Sequence, residues 1–251
     1  MNLFDLTGKR AIVVGGAGDL GRSMLEGLVQ YGAKAVVIGR GDRTRDLAAE
    51  LTAKGYSVSA VYADISQEEQ IQSSFREALD VLGGVDILVN AAGIQRRHKC
   101  EEFPLSDWDD VLNVNLTATF RYCQLAAEQM LPAGYGKIIN VASLLSFFGG
   151  FTVPAYAASK GGVMQLTKAL SNEWAGRGVN VNAIAPGYMD TKLNTAIVND
   201  PVRSHEILSR IPQHRWGTGQ DLVGATVFLA SAASDYVNGI VLPVDGGYLG
   251  R

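Results

Sequence analysis

Tyr156 and Lys160 are the two side chains whose types and spacing most directly indicate proton chemistry. They stand four residues apart in a segment of helical period, so they share one face of a predicted helix. A tyrosine phenol, with a pKa of about 10, is a poor base at neutral pH, but a neighbouring ammonium group lowers that pKa. Ser143 lies upstream at the end of the fifth predicted strand, where open α/β sheets place their chemistry. The three residues together predict an acid–base site.

A glycine-rich turn is the second chemical feature of the chain. The predicted strand 11–14 runs directly into the sequence GGAGDLG at residues 15–21, which opens a predicted helix. Such a turn brings backbone N–H groups and the positive end of a helix dipole close to a pyrophosphate. The position of these glycines, on the first strand-to-helix turn, predicts a dinucleotide site.

The end of the second predicted strand bears on which dinucleotide is bound. An acidic residue there would hold the ribose 2′-hydroxyl, whereas an arginine suits a 2′-phosphate. The sequence IGRGDR at 38–43 has Arg40 at this place and no carboxylate at the strand end. NADP is therefore favoured over NAD, with the alternative that Asp42 reaches back to a ribose.

Short β-branched runs alternate with longer segments of helical period, which predicts a parallel sheet with crossover helices. Gly accounts for 29 of the 251 residues, and 47% of the chain is apolar. Strands are expected at 11–14, 35–38, 58–62, 85–89, 137–141, 179–184 and 240–244, and helices near 20–31, 44–54, 67–82, 106–130, 156–175 and 221–231. The prediction is one doubly wound α/β domain over residues 1–251, a seven-stranded parallel sheet with helices on both faces.

The stretch 187–219, called the lid segment below, is the one irregular part of this pattern. It is too long for an ordinary connection and is therefore a candidate substrate lid. Its charged residues Arg203 and His205 are expected to be solvated.

Composition argues against several other classes of protein. The net charge of −3 comes without a basic stripe, which disfavours nucleic acid as a partner. No apolar run approaches the ~20 residues of a membrane span, and no signal peptide is visible, so a cytoplasmic location is expected. Cys100 and Cys123 are interpreted as reduced thiols, and His98 and His214 lack metal-ligand spacing, so no metal is expected.

Seven ordered motifs make the chain resemble the short-chain dehydrogenase/reductase family over essentially its whole length. They are the turn 15–21, Asp64-Ile65, Asn90-Ala91-Ala92-Gly93, Asn113-Val114-Asn115, Ser143 with Tyr156-x-x-x-Lys160, Pro186-Gly187, and Val244-Asp245-Gly246-Gly247. The resemblance implies a Rossmann-type fold and an enzyme that transfers hydride between a nicotinamide cofactor and a secondary alcohol or ketone. It also implies a homotetramer.

The resemblance further implies a catalytic tetrad of Asn115, Ser143, Tyr156 and Lys160. Tyr156 would be the general acid–base, Ser143 would orient the substrate oxygen, Lys160 would tune Tyr156, and Asn115 would hold a relay water. Ser146 is a rival to Ser143. The implied cofactor-binding residues are Gly15, Ala17, Gly18, Asp19, Leu20, Gly21, Arg40, Asp64, Ile65, Asn90, Ala91, Ala92, Gly93, Tyr156, Lys160, Pro186, Gly187 and Thr191.

Two positions depart from the family pattern. Val14 stands where a threonine is usual, and Asp19 stands at the usual middle glycine. A carboxylate beside a phosphate is repulsive unless it points away, so the phosphate contacts of this turn are open.

The segment after the fourth strand bears on the substrate. Arg96 and Arg97 suit capture of a carboxylate, unless they lie in surface ion pairs, and the candidate substrate residues are Gln95, Arg96, Arg97, Ser143, Tyr156 and Tyr188. The sequence at 93–98 resembles the gluconate 5-dehydrogenases of the family. The segments 142–147, 206–212 and 235–249 resemble its 2-dehydro-3-deoxy-D-gluconate 5-dehydrogenases more closely, which favours that sugar acid.

Two other functions stay open. A ketoacyl or steroid reductase would prefer an apolar cleft, and Phe147, Phe148 and Phe151 near the catalytic strand are compatible with one. A non-catalytic nucleotide-binding sensor would be expected to lose Tyr, Lys or Ser from the site, and all three are present.

Overall fold

Seven parallel strands form one sheet in the order β3-β2-β1-β4-β5-β6-β7. The computed structural model describes residues 2–251, apart from the side chain of Leu193. The strands are β1 (Arg10–Val14), β2 (Lys34–Gly39), β3 (Val58–Tyr62), β4 (Ile87–Asn90), β5 (Gly136–Val141), β6 (Val179–Pro186) and β7 (Val241–Val244). The predicted strands are confirmed, with ends that shift by one or two residues.

Helices occupy the crossovers between these strands. They are α1 (Asp19–Gln30), α2 (Asp42–Ala53), α3 (Glu68–Leu82), α4 (Leu105–Leu112), α5 (Ala118–Ala133), α6 (Pro154–Trp174), α7 (Thr195–Val198), α8 (Pro201–Arg210) and α9 (Val223–Ala230). Within the part of the chain that is described, no helix is long and apolar enough to cross a membrane. The doubly wound, Rossmann-type α/β fold that the sequence predicts is confirmed.

Most strand residues are apolar because both faces of the sheet are covered, and the buried polar exceptions Lys137, Asn140 and Asn182 are hydrogen-bonded. Along β1, Ala11 and Val13 pack into the core on one face, while Ile12 and Val14 pack into the core on the other. Strands buried on both faces read as continuous β-branched runs, which is why they stand out in the sequence.

Most of the predicted chemical motifs follow the carboxyl ends of strands, and helical elements bring Asn115 and Lys160 to the same edge of the sheet, beside Gly93. The strand order reverses between β1 and β4: successive strands are added outward to β3 on one side and outward to β7 on the other. A cleft opens at such a switch point, and it is the usual ligand site of an open α/β sheet.

The predicted helix 106–130 is interrupted. A π-helical turn over Asn113–Thr117 separates α4 from α5 and contains the buried Asn115. Single π-turns inside α-helices occur frequently at functional sites. Hydrophobic periodicity does not reveal them, because one extra residue leaves the apolar face nearly continuous.

The lid segment contains the helices α7 and α8, where the sequence analysis expected irregular chain. Asp200 caps α8 by accepting hydrogen bonds from the backbone N–H groups of Val202 and Arg203, at 3.0 and 3.1 Å. Pro201 follows at the first helical position, so the pair Asp200-Pro201 is a start signal that was present in the sequence. At the base, Met189 pairs with Gly217, which brings the two ends of the segment together.

Candidate active site

Ser143 follows β5 and begins a single 3-10 turn over Leu144–Ser146. Its Oγ accepts a hydrogen bond from the backbone N–H of Leu145 at 3.1 Å, which fixes the direction of the hydroxyl group. Ser146 instead donates its hydroxyl to the main-chain oxygen of Lys160 at 2.7 Å and accepts from the N–H of Ser143 at 3.3 Å. The rival serine therefore ties the strand end to α6, and Ser143 is the one that lines the cavity.

Tyr156 and Lys160 lie one turn apart near the start of α6, as their spacing predicts. The Lys160 ammonium group sits 5.8 Å from the centroid of the Tyr156 ring and donates to the main-chain oxygen of Val141 at 2.6 Å. Burial lowers the pKa of Lys160 to about 8. Burial also raises the pKa of Tyr156, and the nearby hydroxyl of Ser143 counteracts that rise by hydrogen bonding.

Asn115 is fully buried on the π-turn and joins three elements of the site. Its side chain accepts from the N–H of Ile94 at 2.8 Å and donates to the carbonyl of Ile94 at 2.9 Å. It also donates to the hydroxyl of Ser159 on α6 at 3.0 Å. The Asn115 side chain thus locks the loop after β4 against α6, and the relay water assigned to it stays a prediction.

A cavity of about 430 Å³ opens above Ser143 and Tyr156. Its walls come from the loop after β4, the 3-10 turn after β5, the end of β6 and the lid segment. Five of the six candidate substrate residues line it, namely Gln95, Arg97, Ser143, Tyr156 and Tyr188.

Arg96 does not belong to this cavity. Within residues 95–98, Gln95 and Arg97 line the cavity, whereas Arg96 and His98 approach Asp107 on α4, at 3.7 and 2.6 Å. The two adjacent arginines are therefore separated. Arg96 anchors the segment, and of these two arginines Arg97 is the one that lines the cavity.

The glycine turn 15–21 has the shape that a pyrophosphate requires. Gly15 has a φ of +77°, and a β-carbon there would lie 2.5 Å from the backbone nitrogen of Ala92. A β-carbon on Gly21 would overlap the carbonyl oxygen of Gly15. The first turn of α1 carries no side-chain cap, so its N–H groups stay free for an anion. The residues present therefore fit a dinucleotide.

Asp19 points away from this turn. Its Oδ2 accepts a hydrogen bond at 2.7 Å from the backbone N–H of Lys192, in the lid segment. The carboxylate that replaces the usual glycine thus links the cofactor turn to the lid segment, which resolves the repulsion that its position suggested.

Arg40 and Asp64 lie at the neighbouring ends of β2 and β3. The Arg40 guanidinium, 62% exposed, approaches the Asp64 carboxylate at 3.6 Å. Hydrogen bonds from Ser66, the backbone one first, hold the pKa of Asp64 below its usual range, and Arg40 contributes. The two residues thus border one surface, and Asp64 offsets part of the Arg40 charge.

Six of the remaining predicted cofactor residues occupy three places in the site. Leu20, Pro186, Gly187 and Thr191 line the cavity beside Tyr156. Asn90 lies below it, donating to Asn140 Oδ1 at 2.9 Å, while its own Oδ1 has no partner among the described residues. Gly93 lies above Lys160, because a β-carbon there would be 3.6 Å from the ammonium nitrogen.

Sequence reasoning missed most of the upper wall of the cavity. The missed residues that line it include Leu145, Val153, Arg203, Glu206, Ile207, Arg210 and Tyr248, whereas Phe148 and Phe151, which the apolar-cleft alternative named, line it as well. The spacing of 203, 206, 207 and 210 is that of one helix face, a signal that depends on first finding α8. No local pattern indicated that Tyr248 lines the cavity, because only the fold brings its ring against the ring of Tyr188. The two ring centroids are 5.2 Å apart.

Comparisons with known proteins agree with this geometry. A family model described as short chain dehydrogenase matches residues 9–201. The 2-dehydro-3-deoxy-D-gluconate 5-dehydrogenase of Escherichia coli K12 is 47% identical over 252 residues, which span 100% of this chain and 99% of that protein.

Two solved structures are similar over the full length of this chain. A putative 2-deoxy-D-gluconate 3-dehydrogenase from Agrobacterium tumefaciens, with bound NADP, has a TM-score of 0.94 and 46% identity over 100% of both chains. A gluconate 5-dehydrogenase from Burkholderia cenocepacia, in complex with NADP and tartrate, has a TM-score of 0.96 and 39% identity, covering 100% of this chain and 98% of that one. The chain described here belongs to the short-chain dehydrogenase family and is an oxidoreductase that acts on CH–OH groups.

Proposed function

We propose that this enzyme is an NADP-dependent 2-dehydro-3-deoxy-D-gluconate 5-dehydrogenase. One observation carries the proposal: Ser143 and Tyr156 lie together in a cavity whose wall also presents the cationic Arg97. The site therefore combines an acid–base pair with a group that recognises a carboxylate. The full-length relative from Escherichia coli, which carries that name, supports the choice of acid.

The proposed roles of the tetrad follow from its contacts. Tyr156 takes the proton of the substrate hydroxyl as the carbonyl forms, and returns it in the reverse direction. Ser143, whose hydroxyl is oriented by Leu145, hydrogen-bonds the same oxygen. Lys160, as an ammonium group, stabilises the Tyr156 phenolate, and Asn115 keeps the loop after β4 in register with α6.

The cofactor is assigned to the glycine turn and the cavity rim. When bound, a nicotinamide cofactor would supply the hydride acceptor for the carbinol carbon. The turn 15–21 and the N-terminus of α1 would hold the pyrophosphate, and Pro186, Gly187 and Thr191 would border the nicotinamide end. Arg40 supports NADP over NAD, since its guanidinium is exposed where a 2′-phosphate would lie.

Gluconate 5-dehydrogenase is the alternative within the same chemistry. The tartrate and NADP complex of the Burkholderia gluconate enzyme supports an acid as ligand of this cavity type. A ketoacyl or steroid reductase is less compatible with the site, because Arg97, Arg203, Glu206 and Arg210 all line the cavity and an apolar chain would desolvate them.

The test is a turnover scan that follows the absorbance of reduced nicotinamide. NADP and NAD are each offered with 2-dehydro-3-deoxygluconate, gluconate, 2-deoxygluconate, the matching neutral sugars and a simple secondary alcohol. We expect the highest kcat/KM with 2-dehydro-3-deoxygluconate and NADP. A preference for gluconate would select the alternative, and preference for neutral or apolar alcohols would overturn the sugar-acid assignment. A preference for NAD would contradict the role of Arg40.

The cytoplasmic location, the homotetramer and the single domain with a lid stay predictions from the sequence. Light scattering of the purified chain tests the assembly, and a monomer would contradict it.

A further inference from the structure

The helix α8 presents a charged face to the cavity. Arg203, Glu206 and Arg210 stand three and four residues apart, which places them on one side of the helix, and all three line the cavity opposite Arg97. His205 is exposed between them in sequence but does not line the cavity. Arg203 is exposed, as its place in the lid segment predicts, and it also lines the cavity.

The positive charge of this cavity is not balanced by the protein. Among the described residues, Arg96 pairs with Asp107 and Arg215 with Asp221, but neither Arg97 nor Arg203 has a carboxylate within 4.0 Å. The Arg210 guanidinium lies over the ring of Tyr248, 4.9 Å from the ring centroid, and so makes a cation–π contact there. Glu206 is the single carboxylate of the cavity wall. Two guanidinium groups therefore face the cavity without an ionic partner.

Arg97 and Arg203 also influence each other. Burial lowers the pKa of Arg97, and the positive charge of Arg203 lowers it further. Both residues are exposed, so solvent screens part of this repulsion, and an anion between the two guanidinium groups would relieve the rest. Arg97 belongs to a loop held by Asn115 and Asp107, whereas Arg203 belongs to the lid segment, so an anion would bridge a fixed part of the site and an exposed one.

We infer that Arg203 is a specificity-determining residue, which joins Arg97 in a two-sided clamp on the carboxylate of the substrate. The inference rests on the proposed function for the identity of the acid. In this arrangement the carboxylate relieves the repulsion between the two arginines and draws α8 toward the loop after β4. A neutral polyol of the same length lacks this interaction, so the clamp selects acids over neutral sugars.

Kinetics of matched variants test the clamp. Arg203→Gln, Arg97→Gln and the double variant are compared with gluconate and with its neutral counterpart glucitol, using NADP. We expect each single variant to raise KM for gluconate about 10- to 100-fold, with less than about twofold change for glucitol. Because both residues hold one carboxylate, the double variant should raise KM for gluconate by a factor much smaller than the product of the two single-variant factors. His205→Gln, on the exposed side of α8, is the matched control.

A binding measurement separates this inference from the proposed reaction. The indole N–H of Trp216 donates to the hydroxyl of Ser204, next to Arg203, at 3.1 Å, so Trp216 fluorescence reports on α8. Titration with gluconate or 2-dehydro-3-deoxygluconate should give a saturable change that Arg203→Gln weakens at least about tenfold. Trp216→Phe should remove the signal, and glucitol should give none.

The outcomes distinguish the two proposals. A saturable, Arg203-dependent signal without turnover of any acid would retain the clamp and overturn the proposed reaction. Turnover of acids with equal effects of Arg203→Gln on gluconate and glucitol would retain the reaction and overturn the clamp. Absence of the fluorescence change, or multiplicative losses in the double variant, would also overturn the clamp.

Discussion

Two regions of the candidate active site are built in opposite ways: the floor, defined here as Asn115, Ser143, Tyr156 and Lys160, and the lid segment. In the floor, Asn115 is 0% and Lys160 3% exposed, and both belong to elements packed on the sheet. In the lid segment, neither α7 nor α8 contains a buried residue. The floor thus has side chains enclosed by the fold, whereas the lid segment has the helix α8 on the surface.

The hydrogen bonds show the same difference. Asn115 alone makes three side-chain bonds to the loop after β4 and to α6. The lid segment is joined to the rest of the described chain by single bonds, such as Asp19 to the N–H of Lys192 and Arg251 to the carbonyl of Ser209, and by one apolar cluster in which Ile211 packs with Leu144 and Tyr248. Proton transfer requires fixed distances, whereas substrate entry requires an element that opens at low cost. The comparison predicts that changes in the floor affect chemistry or stability strongly and that changes in the lid segment affect access and selectivity.

The largest expected effect is that of Tyr156→Phe. Removing the phenol hydroxyl removes the proposed acid–base group, so kcat should fall about 10²- to 10⁴-fold while cofactor binding is retained. Steady-state kinetics measure kcat, and a cofactor titration measures cofactor binding. Tyr122→Phe is the control, because it removes another buried hydroxyl, bonded to Ser74 at 2.9 Å, without touching the cavity. Retained activity in Tyr156→Phe would overturn the catalytic assignment.

Lys160 provides a test of how completely the floor is buried. Its pKa falls from 10.5 to about 8 on folding, so between these pH values the unfolded chain binds more protons than the folded one. Stability should therefore rise with pH in this window, and wild type should gain about 2 to 3 kcal/mol relative to Lys160→Met between pH 7 and 10.5. Urea unfolding at several pH values measures the difference. Lys168→Met, at an exposed site of α6, is the matched control, and a pH-independent difference for Lys160→Met would show that its ammonium group is solvated.

Asn115→Ala tests whether the floor depends on its internal bonds. The change leaves the N–H and carbonyl of Ile94 without their partner, which should lower the free energy of unfolding by about 2 kcal/mol. It should also raise KM for the acid substrate, because Arg97 lies on the released loop. Asn113→Ala, on the same π-turn, removes one bond to the carbonyl of Ser66 and should cost about 1 kcal/mol without a kinetic effect. Equal decreases in the free energy of unfolding and equal kinetic effects in the two variants would contradict a special role of Asn115.

The smallest expected effect belongs to the lid segment. Asp19→Ala removes the bond to the backbone N–H of Lys192, a contribution of about 1 kcal/mol. Trypsin cleavage within the lid segment, at Lys192, Arg203 or Arg210, should become about fivefold faster, because the open form is more populated. Asp19→Asn keeps an acceptor oxygen and is the matched control. An unchanged cleavage rate in Asp19→Ala would mean that other contacts hold the segment.

Sequence reasoning reached the sheet, the glycine turn and the tetrad residues because their signals are local. A strand buried on both faces needs a continuous β-branched run, and Gly15 is required by its own positive φ as well as by a close neighbour. The π-turn at Asn115 and the helix α8 were not found. The first hardly alters periodicity, and the second was hidden in a segment read as irregular despite the Asp200-Pro201 start.

The sequence by itself determined which residues end at the carboxyl edge of the sheet, because strand positions and side-chain spacing follow from local patterns. Only the tertiary structure decided which of two adjacent arginines lines the cavity, since Asp107 pairs with Arg96 from a separate helix. It also decided that Arg203 faces the same cavity and that Asp19 points to the lid segment rather than to a phosphate. These outcomes depend on contacts between residues far apart in the chain, up to 173 positions for Asp19 and Lys192, and no local pattern encodes such pairings.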